Sequence, residues 1–88
     1  MRFEWDARKA KANLRKHGVS FDEACTVFDD PNASLSFDTE HADAEDRFVL
    51  LGFSNKVRLL CVSHCYRQGD VVRIISARKA SFRDQLNA

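Results

Sequence analysis

The N-terminal part of the chain carries two patterns of polar and apolar residues. Arg2–Trp5 alternates between the two classes, which predicts a short strand buried on one side. A segment rich in Ala, Lys, Arg and Leu follows, with Asp6 as a suitable N-cap and Gly18 as a suitable left-handed C-cap. We therefore expect a first helix over residues 7–17. The apolar residues along one face of it, expected to be buried, are Ala7, Ala10 and Leu14.

A second helix is predicted immediately after the first. Ser20 and Glu23 have the spacing of a capping box, in which each side chain bonds the backbone N–H of the other residue. Proline drives the residue before it out of the helical conformation, so Pro31 places the end of this helix near residue 28. The apolar residues that recur at helical spacing in between are Phe21, Ala24, Cys25 and Phe28.

The remainder of the chain shows the short apolar runs and turn residues of a β-meander. The predicted strands are 33–37, 48–53, 57–66 and 71–77. An acidic loop is expected over 38–46, and residues 79–86 begin a last helix. The order β-α-α-β-β-β-β-α predicts one α+β domain over residues 1–88, with two N-terminal helices packed on a largely antiparallel sheet.

Composition narrows the class of protein. Of the 88 residues 44% are hydrophobic, with only 3 Gly and 1 Pro, which is typical of one ordered domain and excludes a disordered protein. No apolar run reaches the ~18 residues of a membrane span, and the N-terminus does not resemble a signal peptide, so no membrane partner is expected. Three cysteines are too few for a disulfide scaffold and fit a reducing cytoplasm.

Charge is distributed unevenly along the chain, although the formal total is only +1. Residues 1–19 carry a net +4, residues 20–47 a net −8 and residues 48–88 a net +5. Two basic segments therefore flank an acidic one. If folding brings the basic segments together, a nearly neutral protein still presents a basic face to a polyanion.

Cys61, His64 and Cys65 are close enough in sequence to be considered as metal ligands. On a strand, however, the Cα atoms of the two cysteines are about 13 Å apart, too far for a disulfide or a shared zinc ion. We expect both thiols to pack as small apolar groups and His64 to be a structural residue. The sequence has no glycine-rich phosphate loop, nucleophile elbow or zinc-protease motif, so no metal or cofactor is expected.

Basic side chains lie near the ends of several predicted elements. They are Lys16, His17, Arg47, Arg67, Arg73 and Arg78. Brought together, these groups would suit a phosphodiester, because Arg pairs bidentately with phosphate oxygens and His exchanges protons near neutral pH. Each also has a structural explanation: His17 is able to bond carbonyls of the last helical turn, and Arg47 to pair with Glu45 or Asp46. From residue types alone, both interpretations stay open.

Several sequence blocks resemble the BrnT family, the small ribonuclease toxins of a type II toxin–antitoxin system. In chain order they are Phe3–Asp6, Asn13–Ala24, Val27–Pro31 and Arg73–Ala80. The segment from Asp38 to Phe48 is similar to the variable middle region of the family. The resemblance covers essentially the whole chain in the correct order.

The resemblance implies a RelE-like α+β fold and metal-independent cleavage of RNA that arrests translation in the cytoplasm. It also implies neutralisation by a BrnA-type antitoxin, a ribbon-helix-helix protein. Two toxins and two antitoxins would form a complex that binds operator DNA through the antitoxin and represses its own operon.

Matched onto this sequence, the functional positions of the family are basic and imidazole groups. The expected catalytic residues are His17, Arg47, Arg67 and Arg78, and the expected RNA-binding residues are Lys16, Arg73 and Lys79. In cleavage of this kind the RNA 2′-OH is the nucleophile, so the protein supplies a base, an acid and cations for the phosphorane oxygens. No metal ligand is among these positions.

Two positions depart from the family pattern. Asp84 stands where a Glu is usual in the last helix, which here lacks the family's terminal Tyr, and Tyr66 stands where an acid is common before Arg67. These departures leave a second hypothesis open, a degenerate toxin that binds its antitoxin without cleaving RNA. A DNA-binding protein in its own right is the least favoured alternative, because the sequence has no helix-turn-helix or basic-zipper pattern.

Overall fold

The computed structural model describes residues 1–40 and 45–86, and the elements occur in the predicted order. Residues 41–44 of the predicted acidic loop lie outside the described residues. The helices are α1 (Ala7–His17), α2 (Phe21–Thr26), which continues into a 3₁₀ turn (Val27–Asp29), and α3 (Phe82–Leu86). The strands are β1 (Arg2–Glu4), β2 (Ser34–Phe37), β3 (Phe48–Phe53), β4 (Leu59–Arg67) and β5 (Val71–Lys79).

The five strands form one sheet in the order β1-β5-β4-β3-β2. Strands β2 to β5 pair antiparallel with their neighbours, as expected for a meander. Strand β1 pairs parallel with the first half of β5, where Arg2 lies opposite Val71 and Glu4 opposite Arg73. The prediction of an α+β fold with a largely antiparallel sheet is confirmed.

Helix α1 begins and ends where its caps predict. The Asp6 carboxylate accepts the backbone N–H groups of Arg8 and Lys9 at 2.8 and 3.2 Å, and Gly18 has a left-handed φ of 68°. The predicted buried stripe is wrong at Ala7, which is exposed, and at Leu14, which is 52% exposed. Asn13 is the buried residue of α1, because this helix packs along the edge of β5 and not flat on an apolar surface.

The hydrophobic core lies between α2 with its 3₁₀ turn and one face of the sheet. Its members are Val19, Phe21, Ala24, Val27, Leu50, Leu60, Val62, Val72, Ile74 and Ala77. The core residues of β4 alternate with side chains that point to the other face, as the pleat requires. On β5 the core residues Ile74 and Ala77 are three positions apart, because the β4–β5 register shifts by one residue between them. That second face stays open over β3, β4 and β5, and the polar residues on it form the site described below.

The predicted capping box of α2 is only half formed. The Ser20 hydroxyl accepts the Glu23 backbone N–H at 3.0 Å, but the Glu23 carboxylate points into the protein. There it accepts hydrogen bonds from the Arg58 guanidinium and from the Ser54 hydroxyl, the latter at 2.6 Å. Arg58 also donates to the Gly18 carbonyl at 3.0 Å, so this network ties the end of α1 to α2 and the β3–β4 turn.

We expect Glu23→Gln to lower the free energy of unfolding by about 3 kcal/mol at pH 7, because it leaves Arg58 without its buried partner. The hydrogen bonds from Arg58 lower the pKa of Glu23 from 4.5 to about 2. A carboxyl with a depressed pKa stabilises the fold above pH 4.5 and loses that contribution as pH falls towards 2. Urea unfolding should therefore show a large deficit at pH 7 that shrinks between pH 5 and pH 2.

Glu4→Gln serves as the control for this measurement. The Glu4 carboxylate is in an exposed ion pair with Arg73, and its loss should change stability by less than about 1 kcal/mol. A Glu23→Gln deficit of equal size at pH 7 and pH 2 would contradict the proposed role of the Glu23 charge.

Within residues 1–40 and 45–86, the structure contains no helix with the length and apolar character needed to cross a membrane.

Candidate active site

The open face of the sheet carries a groove of about 450 Å³. Its floor consists of side chains from β3, β4 and β5, namely Val49, Cys61, Ser63 and Ser76. Its charged walls come from the end of α1, from the two ends of the segment 38–47, and from the end of β5. The charged and imidazole residues that line it are Lys16, His17, Asp38, Glu40, Arg47 and Arg78.

Asn13 explains how the end of α1 reaches this groove. Its side-chain amide donates to the carbonyls of Ala77 and Val19 at 2.8 and 2.9 Å, and its side-chain oxygen accepts the Ala77 backbone N–H at 3.1 Å. One turn further along the same helix face lies His17. The bonds to Ala77 therefore fix α1 against β5 and hold His17 near Arg78, the next residue of that strand.

Arg47 enters the groove from the segment that leads into β3. Its carbonyl accepts the backbone N–H of Asp38 at 2.8 Å, which extends the pairing of β2 with β3 by one residue. The Asp38 carboxylate in turn accepts the Glu40 backbone N–H at 3.1 Å. One wall of the groove thus presents a guanidinium beside two carboxylates.

Arg78 enters from β5, where it lies opposite Cys61 of β4. Its guanidinium donates from both terminal nitrogens to the Asp84 carboxylate of α3, at 2.6 and 3.1 Å. This bidentate pair holds the pKa of Asp84 well below its usual range and raises the pKa of Arg78. Arg78 is therefore always cationic, and its side chain remains 46% exposed.

The structure brings four of the seven predicted site residues together. Lys16, His17, Arg47 and Arg78 all line the groove. The other three lie elsewhere on the surface, and the geometry of the sheet explains why.

Arg67 and Arg73 lie towards the opposite end of the β4–β5 ladder from Arg78. Arg67 is six residues along β4 from Cys61, the partner of Arg78, which is about 20 Å of extended strand. Arg67 forms an ion pair with Glu45 at 3.3 Å, and Arg73 one with Glu4 at 2.7 Å. Lys79 follows Arg78 on β5 and is exposed opposite Leu60. The predicted roles of these three residues stay predictions.

His64 occupies an interior position, as expected for a structural residue. It is completely buried, and its ring packs edge-on against Phe28 and Tyr66. Its Nδ1 lies 3.0 Å from the Val62 carbonyl, which only accepts, so the neutral ring donates from Nδ1 and accepts the Tyr66 hydroxyl at Nε2, 3.2 Å away. Burial lowers the pKa of His64 and keeps the ring uncharged.

Comparison with known proteins identifies the family. A sequence model for the ribonuclease toxin BrnT of a type II toxin–antitoxin system matches residues 5–84. The chain belongs to the BrnT family. The crystal structure of the ribonuclease toxin BrnT from Brucella abortus has a TM-score of 0.71 and 28% sequence identity to it, covering 92% of this chain and 97% of that one. Comparison with curated proteins gave no match.

Membership in the BrnT family confirms the resemblance predicted from the sequence blocks. It makes the chain a member of a ribonuclease toxin family, and a type II system implies an antitoxin partner. The positions at which this chain departs from the family pattern can now be placed: Asp84 contacts a groove arginine, whereas Tyr66 contacts a buried histidine.

The cysteines of this BrnT-family chain are free and behave as packing groups. Cys61 and Cys65 are buried on β4, and burial raises the pKa of the Cys61 thiol to about 11. Within the described residues, the structure shows no group of three or more His, Cys, Asp and Glu arranged to hold a metal ion.

Sequence reasoning missed the acids and hydroxyls of the groove. The sequence places Asp38 and Glu40 only in an acidic loop, and the available signal was that this loop leads to Arg47, seven residues after Glu40. Ser63 lies at a position of β4 that faces away from the core, which alternation along that strand could have shown. Ser76 has the parity of the core residues Val72 and Ile74, and it faces the groove only because the β4–β5 register shifts beside it, which the sequence did not indicate. The contact of Asp84 with Arg78 had no signal beyond the spacing of six residues.

Proposed function

We propose that this protein is a metal-independent endoribonuclease that cleaves cytoplasmic RNA and arrests translation. The observation that carries this proposal is the convergence of His17, Lys16, Arg47 and Arg78 in one groove with two carboxylates. A phosphodiester needs cations for its oxygens and proton donors and acceptors for its two reacting oxygens, and this set of groups offers both.

The chemistry follows from these groups. The 2′-oxygen attacks the adjacent phosphorus, the bond from phosphorus to the 5′-oxygen breaks, and the products are a 2′,3′-cyclic phosphate and a 5′-hydroxyl. Arg47 and Arg78 bind the phosphate oxygens as charge develops on them. His17 carries out one proton transfer and a groove carboxylate, Asp38 or Glu40, the other. The nucleophile belongs to the substrate, so no metal-activated water is required.

The antitoxin partner implied by the type II system is, in this proposal, a BrnA-type ribbon-helix-helix protein. Masking the groove would prevent cleavage of the host's own RNA, so we place its binding surface over Lys16, Arg47 and Arg78. Two copies of each protein would then bind operator DNA through the antitoxin. An antitoxin footprint that leaves the groove open to a short RNA would contradict this part of the proposal.

The decisive experiment digests a labelled RNA with the purified protein in the presence of EDTA. We expect chelator-resistant cleavage that leaves 2′,3′-cyclic phosphate ends, and no cleavage of a DNA strand of the same sequence, which has no 2′-OH. Absence of cleavage at high protein concentration would overturn the proposal and favour a toxin that only binds its antitoxin.

A further inference from the structure

The Arg78 guanidinium is held at one edge and open at the other. Among the described residues, Asp84 and the Lys79 carbonyl accept three of its five N–H groups: one from each terminal nitrogen goes to Asp84, and a second from Nη1 goes to Lys79 at 3.4 Å. The Nε–H and the second Nη2–H remain. These two lie side by side on the guanidinium and form a fork that fits two oxygens of a phosphate.

The Asp84 carboxylate is itself held in place. It accepts the backbone N–H and the hydroxyl of Ser81 at 2.7 and 2.9 Å, and the Ser81 hydroxyl accepts the Asp84 N–H at 3.2 Å. This is a complete capping box at the start of α3. The guanidinium therefore rests on a carboxylate that the helix start has already oriented.

Core packing does not account for the position of α3. Within Phe82–Leu86 no side chain is buried, and the two large apolar ones, Phe82 and Leu86, are 76% and 69% exposed. Within the described residues, Asp84 joins α3 to the sheet through its ion pair with Arg78. The helix thus gains little from burial at this place, while it brings a carboxylate into contact with the groove residue Arg78.

We propose that Asp84 is a positioning residue for RNA cleavage, which holds the Arg78 guanidinium so that its Nε–Nη2 edge receives the reacting phosphate. This inference rests on the proposed ribonuclease function. A free arginine side chain loses rotamer entropy when it is fixed on a substrate. A guanidinium that Asp84 already holds in place loses less rotamer entropy, and it stabilises the transition state without first having to reorient. If Asp84 instead competed with the phosphate for Arg78, removing the Asp84 carboxylate would raise the rate of cleavage, whereas a positioning role predicts that it falls.

Kinetics of the Asp84→Asn variant test the proposal. The amide keeps an oxygen for the Ser81 cap but loses the charge that orients Arg78. We expect kcat on a defined RNA to fall about 10-fold, with KM unchanged or lower because a negative charge beside a groove arginine is removed. Asp84→Glu should restore most of the activity, because Glu also completes a capping box.

Two controls separate positioning from stability. Glu4→Gln removes the carboxylate that pairs with Arg73, which lies on β5 like Arg78 but outside the groove. This change should leave kcat within about 2-fold of that of the unmodified protein. In an Arg78→Ala background, Asp84→Asn should cause no further loss of kcat, since its effect acts through the guanidinium. Circular dichroism of each variant establishes the folded fraction by which kcat is divided.

The outcomes are distinguishable. A rise in kcat/KM for Asp84→Asn would show that Asp84 competes with RNA, and an unchanged kcat would reduce it to a helix cap. Either result overturns the inference while the ribonuclease function stands. An unmodified protein that does not cleave RNA overturns both.

Discussion

Replacing His17 by alanine is expected to reduce RNA cleavage by about 10²–10⁴-fold, the usual contribution of a positioned proton-transfer group. The imidazole lines the groove at the last residue of α1, so its loss leaves the phosphate-binding arginines in place. The fold should survive, because a side chain that interacts with a helix end contributes only about 1 kcal/mol. Cleavage rates under single-turnover conditions, with circular dichroism of the same sample, measure the effect.

Arg15→Ala is the matched control for His17. Arg15 is also a basic residue in the last turn of α1, but it is exposed and does not belong to the groove lining. Its loss should leave cleavage within a few-fold. If His17→Ala cleaves as fast as Arg15→Ala, His17 is only a helix-end residue, the other interpretation that its position beside Gly18 leaves open.

The second large effect is expected for Arg78→Ala, about 10²–10³-fold in kcat, since it removes donors that stabilise charge in the transition state. Arg78→Lys should recover only part of this, because an ammonium group carries the charge without the planar fork. The variant proteins should be folded, as the Arg78 side chain is half-exposed. Denaturant unfolding and product analysis on the same RNA provide the measurements.

Arg73→Ala provides the comparison within the same strand. Arg73 resembles Arg78 in lying on β5 and pairing with one carboxylate, but its ion pair is with Glu4 at the end near β1. We expect less than a few-fold loss of cleavage. A loss as large as that of Arg78→Ala would instead support the RNA-binding role predicted for Arg73 from the sequence.

Local signals in the sequence predicted most of the elements. The caps of α1 are chemical requirements of a helix end, so Asp6 and Gly18 defined its bounds to the residue. Strand β4 begins at Leu59 and not at the predicted Val57, because Val57 has a φ of 57° in the turn before it. An apolar residue in a turn looks like the start of a strand when only hydrophobicity is considered.

Packing between distant segments is what the sequence could not show. Leu14 fits a buried helical stripe, yet Asn13 is buried beside it because α1 closes the edge of β5. Glu23 fits a capping box, yet its carboxylate pairs with Arg58, which is 35 residues away. In both cases a long-range polar partner competes successfully with the local pattern.

For the site as well, local motifs predicted residues, whereas the arrangement of distant segments could not be predicted. The basic residues of the groove were predicted because they occur in motifs shared with a family, and Lys16, His17, Arg47 and Arg78 converge. The motifs carry no information about strand register, which places Arg67 about 20 Å along β4 from the partner of Arg78. Register depends on the completed sheet, so it had to be read from the structure.

The hydrogen bonds between Asn13 and Ala77 join positions 64 residues apart in the chain. During translation, at about 5–20 residues per second, the ribosome therefore completes α1 several seconds before it adds the strand that α1 must hold. Until then His17 and Arg78 have no common groove, so the proposed ribonuclease site is still incomplete in the nascent chain.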